Sequence, residues 1–198
     1  MMDRQYKKDG VTQYPLIYPL IREFNLLATS EVWNESAACS ELWMLLRAVG
    51  DETPIVDRSP IRGLIAAKTD LNPVEAVRRL RSELRENPEG FRVLLRVMPV
   101  EAIVPTDLGG IVEAAHELAA KIGENESFRI TLEKRRTHLR SREVIDAVAQ
   151  GIDRRVDLED CDWIILIEII GRITGLAVIP RDGLLNVQKE RARLLSKG

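Results

Sequence analysis

The run WIILIEII at Trp163–Ile170 constrains the fold of this chain more than any other stretch. All of its residues except Glu168 are apolar, so neither face of a strand formed here could remain in water. Strands of this kind lie in the centre of a sheet that is covered on both faces. The run is also too short to cross a membrane as a helix. It therefore predicts an α/β protein with a buried central strand. Glu168 is expected either near the strand end, facing solvent, or paired with an arginine such as Arg172.

Residues 21–99 alternate between strand and helix patterns. The second helix has a clear start at Asn72-Pro73-x-Glu75, because Asn can cap, Pro suits the first helical position and Glu can bond back to the cap. The resulting order is β-α-β-β-α-β, which is typical of a ferredoxin-like domain. The predicted strands are 24–29, 53–57, 63–69 and 91–99, and the predicted helices lie between 34 and 50 and between 72 and 87.

Residues 100–180 predict a second α/β unit. Asp107 caps a helix that runs to Ile122, and the apolar residues of Phe128–Leu132 alternate as in a strand. A helix from Ser141 and the central strand follow. We thus predict an α/β (α+β) chain that comprises a tail at 1–20, a ferredoxin-like domain at 21–99, a second α/β domain at 100–180 and a basic helix or frayed tail at 181–198.

A basic turn links the Phe128 strand to the Ser141 helix. From Arg129 to Arg142 there are six Arg and Lys residues and one acid, Glu133. The Ser141 hydroxyl can cap the helix, and a helix N-terminus beside guanidinium groups attracts anions. A charge run can also be a merely solvated face, but this one is concentrated beside a helix start. RNA phosphate is the anion that we favour. His138 is interpreted as a turn residue rather than as a catalytic base.

The net charge, the cysteine count and the motifs that the sequence lacks exclude several classes of function. A net charge of −2 over 198 residues excludes a general polyanion binder, so an RNA site must be a local patch. Two cysteines provide neither a disulfide framework nor a zinc site. With no phosphate-binding loop, dinucleotide motif, nucleophile elbow or paired metal ligands, we predict no catalytic residue, cofactor or metal. No signal peptide pattern begins the sequence, so we expect a cytoplasmic protein. The three tryptophans are expected in the core, which leaves recognition to shape and phosphates.

Three segments carry a resemblance to a known family: FRITLEKRRTHLRSREVI, VDLEDCDWIILIEIIG and TGLAVI. They resemble the THUMP domain of the stand-alone adaptor proteins for tRNA cytidine acetylation, over roughly residues 22–180. Cys161 departs from the family pattern, in which a proline is expected. The resemblance implies a ferredoxin-like domain followed by a THUMP domain, no catalytic centre, and binding of the tRNA acceptor stem and CCA end. It also implies a partner, an RNA cytidine acetyltransferase that uses acetyl-CoA and ATP to form 4-acetylcytidine in the D-arm.

The resemblance also places the RNA-binding residues at the basic turn. They are Lys134, Arg135, Arg136, His138, Arg140, Ser141 and Arg142, with Arg172 and Thr174 from a neighbouring turn as further candidates. Two other hypotheses stay open. The chain could be the RNA-binding subunit of another tRNA modification system, for methylation or thiolation. It could also be a ferredoxin-like protein whose basic turn binds a phosphorylated metabolite, which would require a closed pocket beside Ser141.

Overall fold

The computed structural model describes residues 23–196, so the predicted tail at 1–20 lies outside the described part of the chain. Ten strands and five helices form within it. In chain order they are β1 (Leu26–Ser30), α1 (Glu35–Ala48), β2 (Ile55–Arg58), β3 (Leu64–Lys68), α2 (Pro73–Glu86), β4 (Leu94–Pro99), β5 (Ala102–Pro105), α3 (Leu108–Ala119), β6 (Ser127–Arg135), α4 (Ser141–Gln150), β7 (Arg155–Val156), β8 (Trp163–Ile170), β9 (Ile173–Pro180), β10 (Leu185–Asn186) and α5 (Val187–Leu195). No described helix is long and apolar enough to cross a membrane.

The first sheet has the strand order β10-β4-β1-β3-β2, and its neighbouring strands are antiparallel. Residues 26–99 follow the predicted order β-α-β-β-α-β. Helices α1 and α2 cover one face, where Leu42, Leu46 and Leu80 are wholly buried against Leu26 and Ile65. The apolar spacing of the two helices produces this core, because residues three and four apart lie on one helix face.

Helix α2 begins as its sequence predicts, with one difference. The Asn72 side chain accepts hydrogen bonds from the backbone N–H groups of Val74 and Glu75, at 3.0 and 3.1 Å. The Glu75 carboxylate does not complete the expected capping box. It binds the guanidinium groups of Arg78 and Arg79 instead, which hold its pKa low, at about 2. Adjacent arginines on the same helix face compete successfully for this carboxylate.

The second sheet has the order β5-β9-β8-β6-β7 and is mixed, because β6 and β8 are parallel while β9 is antiparallel to β8. Strand β8 is its central strand, and every residue from Ile164 to Ile170 is buried. This confirms the prediction for the apolar run. Helices α3 and α4 cover one face of β8 with Ile111, Val144 and Val148. Strand β5 was not predicted, since four residues interrupted by loop signals give little periodicity.

The two sheets pack against each other through their remaining faces. One shared apolar cluster joins Leu27, Ala66 and Met98 of the first sheet to Leu166 and Ala177 of the second. The helices therefore lie on the outside and the sheets on the inside. This explains why β8 is apolar on both faces: α3 and α4 cover one face, and the first sheet covers the other.

The C-terminal segment returns to the first sheet. Strand β10 pairs with β4, and Leu185 is wholly buried in the first core. Arg81 of α2 donates hydrogen bonds to the Glu190 carboxylate at 3.0 Å and to the Leu184 carbonyl at 2.6 Å. Arg81 is therefore buried on α2, because α5 and the segment before it cover its side chain. A short basic helix was one of the two expectations for residues 181–198, but the return to the first sheet was not predicted.

Two of the three tryptophans are not in the core. Trp33 is 78% exposed and Trp43 is 46% exposed, whereas Trp163 is half-buried and donates a 2.8 Å hydrogen bond from Nε1 to Glu126. The core prediction for Trp33 and Trp43 is wrong, because Leu42 and its neighbours already fill the inward face of α1 and leave Trp43 outside.

Candidate nucleic-acid interface

Three strands of the second sheet end at the same edge. Pro105 at the end of β5 lies opposite Ile173, and Arg135 at the end of β6 lies opposite Ile170. The β8–β9 turn, residues 171–172, therefore closes the edge between them. Helices α3 and α4 both begin just beyond it, and helix N-termini carry partial positive charge. The carboxyl ends of strands with helix N-termini beside them are a common location for ligands in α/β sheets.

The β6–α4 turn is held in one shape by its own polar groups. The Lys134 ammonium donates a 2.8 Å hydrogen bond to the Leu139 carbonyl across the turn. The Thr137 hydroxyl accepts a hydrogen bond from the Leu139 N–H at 3.2 Å. Arg136 adopts a left-handed conformation, with φ of 55°, which reverses the chain directly after β6. Residues 136–140 are therefore an ordered connection that projects charged side chains.

Helix α4 begins differently from the prediction. Arg140 occupies the capping position and its carbonyl accepts the first helical bond from the Val144 N–H, so Ser141 is the first helical residue. The predicted cap by the Ser141 hydroxyl is therefore wrong, because a side chain caps from the position before the first turn. Within residues 23–196, no side chain accepts a hydrogen bond from the first-turn N–H groups of α4. These groups lie at the end of α4 that directly follows the basic turn.

Five predicted RNA-binding side chains are exposed along this edge, and a sixth, Arg172, is exposed in the adjoining β8–β9 turn. That turn is tied to β6 by a 2.8 Å hydrogen bond from the Gly171 N–H to the Arg135 carbonyl. The structure thus brings the basic turn and the Arg172 turn together. We call this set the basic edge: Lys134, Arg136, His138, Arg140, Arg142 and Arg172.

Arg142 is only weakly restrained within the basic edge. Its guanidinium lies 3.5 Å from the Asp146 carboxylate, and the two side chains are 93% and 68% exposed. Exposed pairs of this type contribute little, between about 0 and 1 kcal/mol. The Arg142 side chain can therefore leave Asp146 for a phosphate at small cost.

Arg135 has a different environment from the rest of the turn. Its side chain is only 26% exposed, and its Nη1 donates a 2.8 Å hydrogen bond to the Glu168 carboxylate. Glu168, the third residue from the end of β8, is 1% exposed, so the expectation that it faces solvent is wrong. Burial raises the pKa of the Glu168 carboxyl, and the Arg135 guanidinium opposes this rise. The prediction of an arginine partner is confirmed, but the partner is Arg135 instead of Arg172.

Thr174 cannot contact RNA in this structure. Its side chain is wholly buried, and its hydroxyl lies 2.9 Å from the hydroxyl of Thr106 at the start of the α3 connection. The prediction for Thr174 is therefore wrong, because β9 is covered on both faces and every residue from Thr174 to Ile179 is buried. Ser141 is half-buried, and its backbone N–H is one of the first-turn groups of α4 that no described side chain caps.

A sequence comparison identifies the second domain. Residues 105–179 match the family model of the THUMP domain. The chain therefore carries a THUMP domain, and the basic edge lies within it. THUMP domains bind RNA such as tRNA. Among curated proteins, none matches this chain.

Solved structures share the fold at low sequence identity. PH1313 from Pyrococcus horikoshii is 19% identical, with a TM-score of 0.58, and the match covers 79% of this chain and 55% of that one. TrmN from Thermus thermophilus is 21% identical with a TM-score of 0.55, covering 77% and 44%. A predicted adenine-specific DNA methylase from Listeria monocytogenes is 16% identical with a TM-score of 0.51, covering 78% and 40%. The chain thus spans about half the length of these proteins, and the likeness extends beyond residues 105–179.

Proposed function

We propose that this chain is a tRNA-binding adaptor that presents tRNA to an RNA cytidine acetyltransferase for 4-acetylcytidine formation in the D-arm. The chain itself supplies no catalytic group, and it acts in the cytoplasm. The observation that carries the binding role is the basic edge, which combines exposed cations with the uncapped N-terminus of α4. Partly free N–H groups beside Lys and Arg side chains suit the phosphates of an RNA end.

The acetylation role rests on the sequence resemblance described above. The THUMP domain supports RNA binding, and the acceptor stem with its CCA end is the proposed docking point. The enzyme partner would supply acetyl-CoA and ATP chemistry. A second candidate function is the RNA-binding subunit of a methylation system, which the fold likeness to a predicted methylase favours. The two candidates differ in the nucleoside that the protein helps to form.

Fluorescence anisotropy with labelled tRNA tests the binding role first. The full chain is titrated against a whole tRNA and against the same tRNA without its CCA end, at two salt concentrations. We expect micromolar or tighter binding that weakens when CCA is removed. The double variant Arg136→Gly with Arg140→Ala should bind more weakly. Arg78→Ala is the matched control, because Arg78 is an exposed arginine of the first domain whose guanidinium is bound to Glu75.

A reconstituted reaction then tests the acetylation role. An RNA cytidine acetyltransferase is incubated with tRNA, acetyl-CoA and ATP, with and without this protein, and the nucleosides are measured by mass spectrometry. We expect 4-acetylcytidine to increase in the presence of the wild-type chain and not in the presence of the double variant. Absence of tRNA binding would contradict the whole proposal. Binding without any gain in 4-acetylcytidine would contradict the acetylation role alone.

A further inference from the structure

Trp33 is the most exposed large apolar side chain among the described residues, at 78%. It lies in the loop between β1 and α1, far in sequence from the basic edge. Its backbone is left-handed, with φ of 79°. A bulky residue rarely adopts this conformation, and backbone strain of this kind concentrates at binding sites. The loop therefore holds an aromatic ring in water at a cost to the fold.

A second loop fixes the position of Trp33. The Ser30 N–H donates to the Gly63 carbonyl at 3.0 Å, and the Gly63 N–H donates to the Glu35 carboxylate at 2.7 Å. Gly63 has a φ of 71°, and a Cβ at this position would lie 2.9 Å from the Ser30 carbonyl oxygen. Only glycine thus allows the two loops to meet so closely. The β2–β3 loop is consequently locked against the segment that carries Trp33.

The locked loop places a cation on the Trp33 ring. The guanidinium carbon of Arg62 lies 4.8 Å from the ring centroid, which is within range of a cation–π interaction. In the described part of the chain, no carboxylate pairs with Arg62, so its N–H donors are available to a phosphate. Residues 58–63 contain Arg58 and Arg62 and no acid. Of the two acids in the Trp33 loop, Glu31 is exposed, whereas Glu35 is engaged by the Gly63 N–H.

We propose that Trp33 and Arg62 form a stacking platform for one unpaired RNA base, with the Arg62 guanidinium beside the phosphate of that nucleotide. This inference rests on the proposed RNA-binding function and adds a contact in the first domain. Any of the four bases can stack on an exposed indole ring, because every base has a flat π-face. Apart from Val32, which is 44% exposed, the neighbouring residues Glu31, Asn34 and Ser59 are polar, and this small apolar area suits a single nucleotide better than the broad apolar centre of a protein interface.

Trp43 differs in the features that carry this proposal. It also has an arginine near its ring, Arg47, at 5.8 Å. However, Arg47 donates to the Glu52 carbonyl, and the turn after α1 contains Asp51 and Glu52. The backbone of Trp43 is regular helix. It is therefore the matched control: an exposed tryptophan beside an arginine, but in an acidic setting.

The test variant is Trp33→Asn, because asparagine tolerates the left-handed backbone and removes the ring. We expect its affinity for tRNA to fall about 5- to 150-fold, the range for one stacked base, while its melting temperature stays equal or rises. Trp33→Phe should retain most of the affinity, and Trp43→Ala should bind as wild type does. A blunt RNA hairpin without unpaired terminal bases should bind wild type and Trp33→Asn equally.

A single-tryptophan protein that keeps only Trp33, with Trp43→Phe and Trp163→Phe, gives a direct readout. Its emission should be quenched on adding tRNA. Unchanged tRNA affinity of Trp33→Asn, or absence of quenching, would overturn the platform even if Arg136→Gly with Arg140→Ala weakens binding as proposed. If Trp33→Asn instead binds tRNA as wild type does but no longer binds the partner enzyme, the surface is a protein contact and the inference is wrong. Failure of wild type to bind any RNA would contradict the proposed function as well.

Discussion

The Nη1 atom of Arg135 lies 2.8 Å from Oε2 of Glu168, the third residue from the end of the central strand β8. The two residues are on adjacent parallel strands but are not directly opposite each other: Glu133 lies opposite Glu168, and Arg135 lies opposite Ile170. The pair is therefore diagonal across β6 and β8. This ion pair gives Arg135 a structural role in the sheet. Arg136 follows it directly in the chain, but its side chain is exposed to solvent.

We expect Arg135→Ala to destabilise the protein by about 3 kcal/mol, the lower end of the range for leaving a buried charge without its partner. The lower end applies because Arg135 itself is partly exposed. Chemical denaturation measures the change. Arg136→Ala, one position along, should change the free energy of unfolding by about 0.5 kcal/mol or less. Equal effects of the two substitutions would contradict the structural role of Arg135.

The cost of Arg135→Ala should depend on pH. Burial raises the pKa of Glu168 in the folded state, and the Arg135 guanidinium limits the rise. A carboxyl whose pKa is higher when folded destabilises the fold increasingly as pH rises from the unfolded pKa through the folded one. Removing Arg135 raises the folded pKa further, so the loss of stability should be smaller at pH 5 than at pH 8. Arg96 and Glu133 are the other charged groups that act on Glu168.

Glu168→Gln provides the control for this pH dependence, because the amide cannot ionise. In a Glu168→Gln background, Arg135→Ala should cost the same at both pH values. Urea denaturation at pH 5 and pH 8 gives the free energies of unfolding of four proteins: wild type, Arg135→Ala, Glu168→Gln and the double variant. A pH dependence that persists in this background would mean that another group titrates.

The identity of the Glu168 partner shows where sequence reasoning ends. The apolar run 163–170 was enough to predict a central strand covered on both faces. The partner depends on the register of β6 against β8, and a shift of two residues would bring a different side chain to Glu168. Arg172 is nearer in sequence, but it lies beyond the strand end. Periodicity predicts which elements form and does not predict their register.

Side-chain exposure was predicted less well than the elements themselves. Trp33 and Trp43 were assigned to the core because tryptophan is usually highly buried. Trp43 lies outside the inward stripe of α1, which a helical projection of residues 35–48 could have shown. The exposure of Trp33 could not be predicted in this way, because Trp33 lies in a loop with a left-handed backbone and no periodic pattern. The burial of Arg81 depends on α5, which is more than 100 residues away in sequence.

The basic edge should give a measurable salt dependence. Each phosphate contact in single-stranded RNA contributes about 0.7 to the slope of log affinity against log salt. Arg136→Gly with Arg140→Ala removes two cations, so the slope should decrease in magnitude by about 1.4. Glycine suits the left-handed φ of 55° at residue 136, so the turn should keep its shape. An unchanged slope together with unchanged affinity would exclude these residues from the interface.

The C-terminal segment should contribute to the stability of the first domain. Leu185 is wholly buried where β10 joins β4, and the Arg81–Glu190 ion pair fastens α5 above it. Leu185→Ala should cost about 2–5 kcal/mol, as for other buried leucines. Lys189→Ala, at an exposed position of the adjoining helix α5, is the control and should cost about 0.5 kcal/mol or less. Since the chain reaches β10 directly from β9, loss of this anchor should also loosen the packing between the two sheets. Hydrogen exchange should then show faster exchange in β4 of Leu185→Ala. A cost equal to that of the control would mean that α5 and β10 are dispensable for the fold.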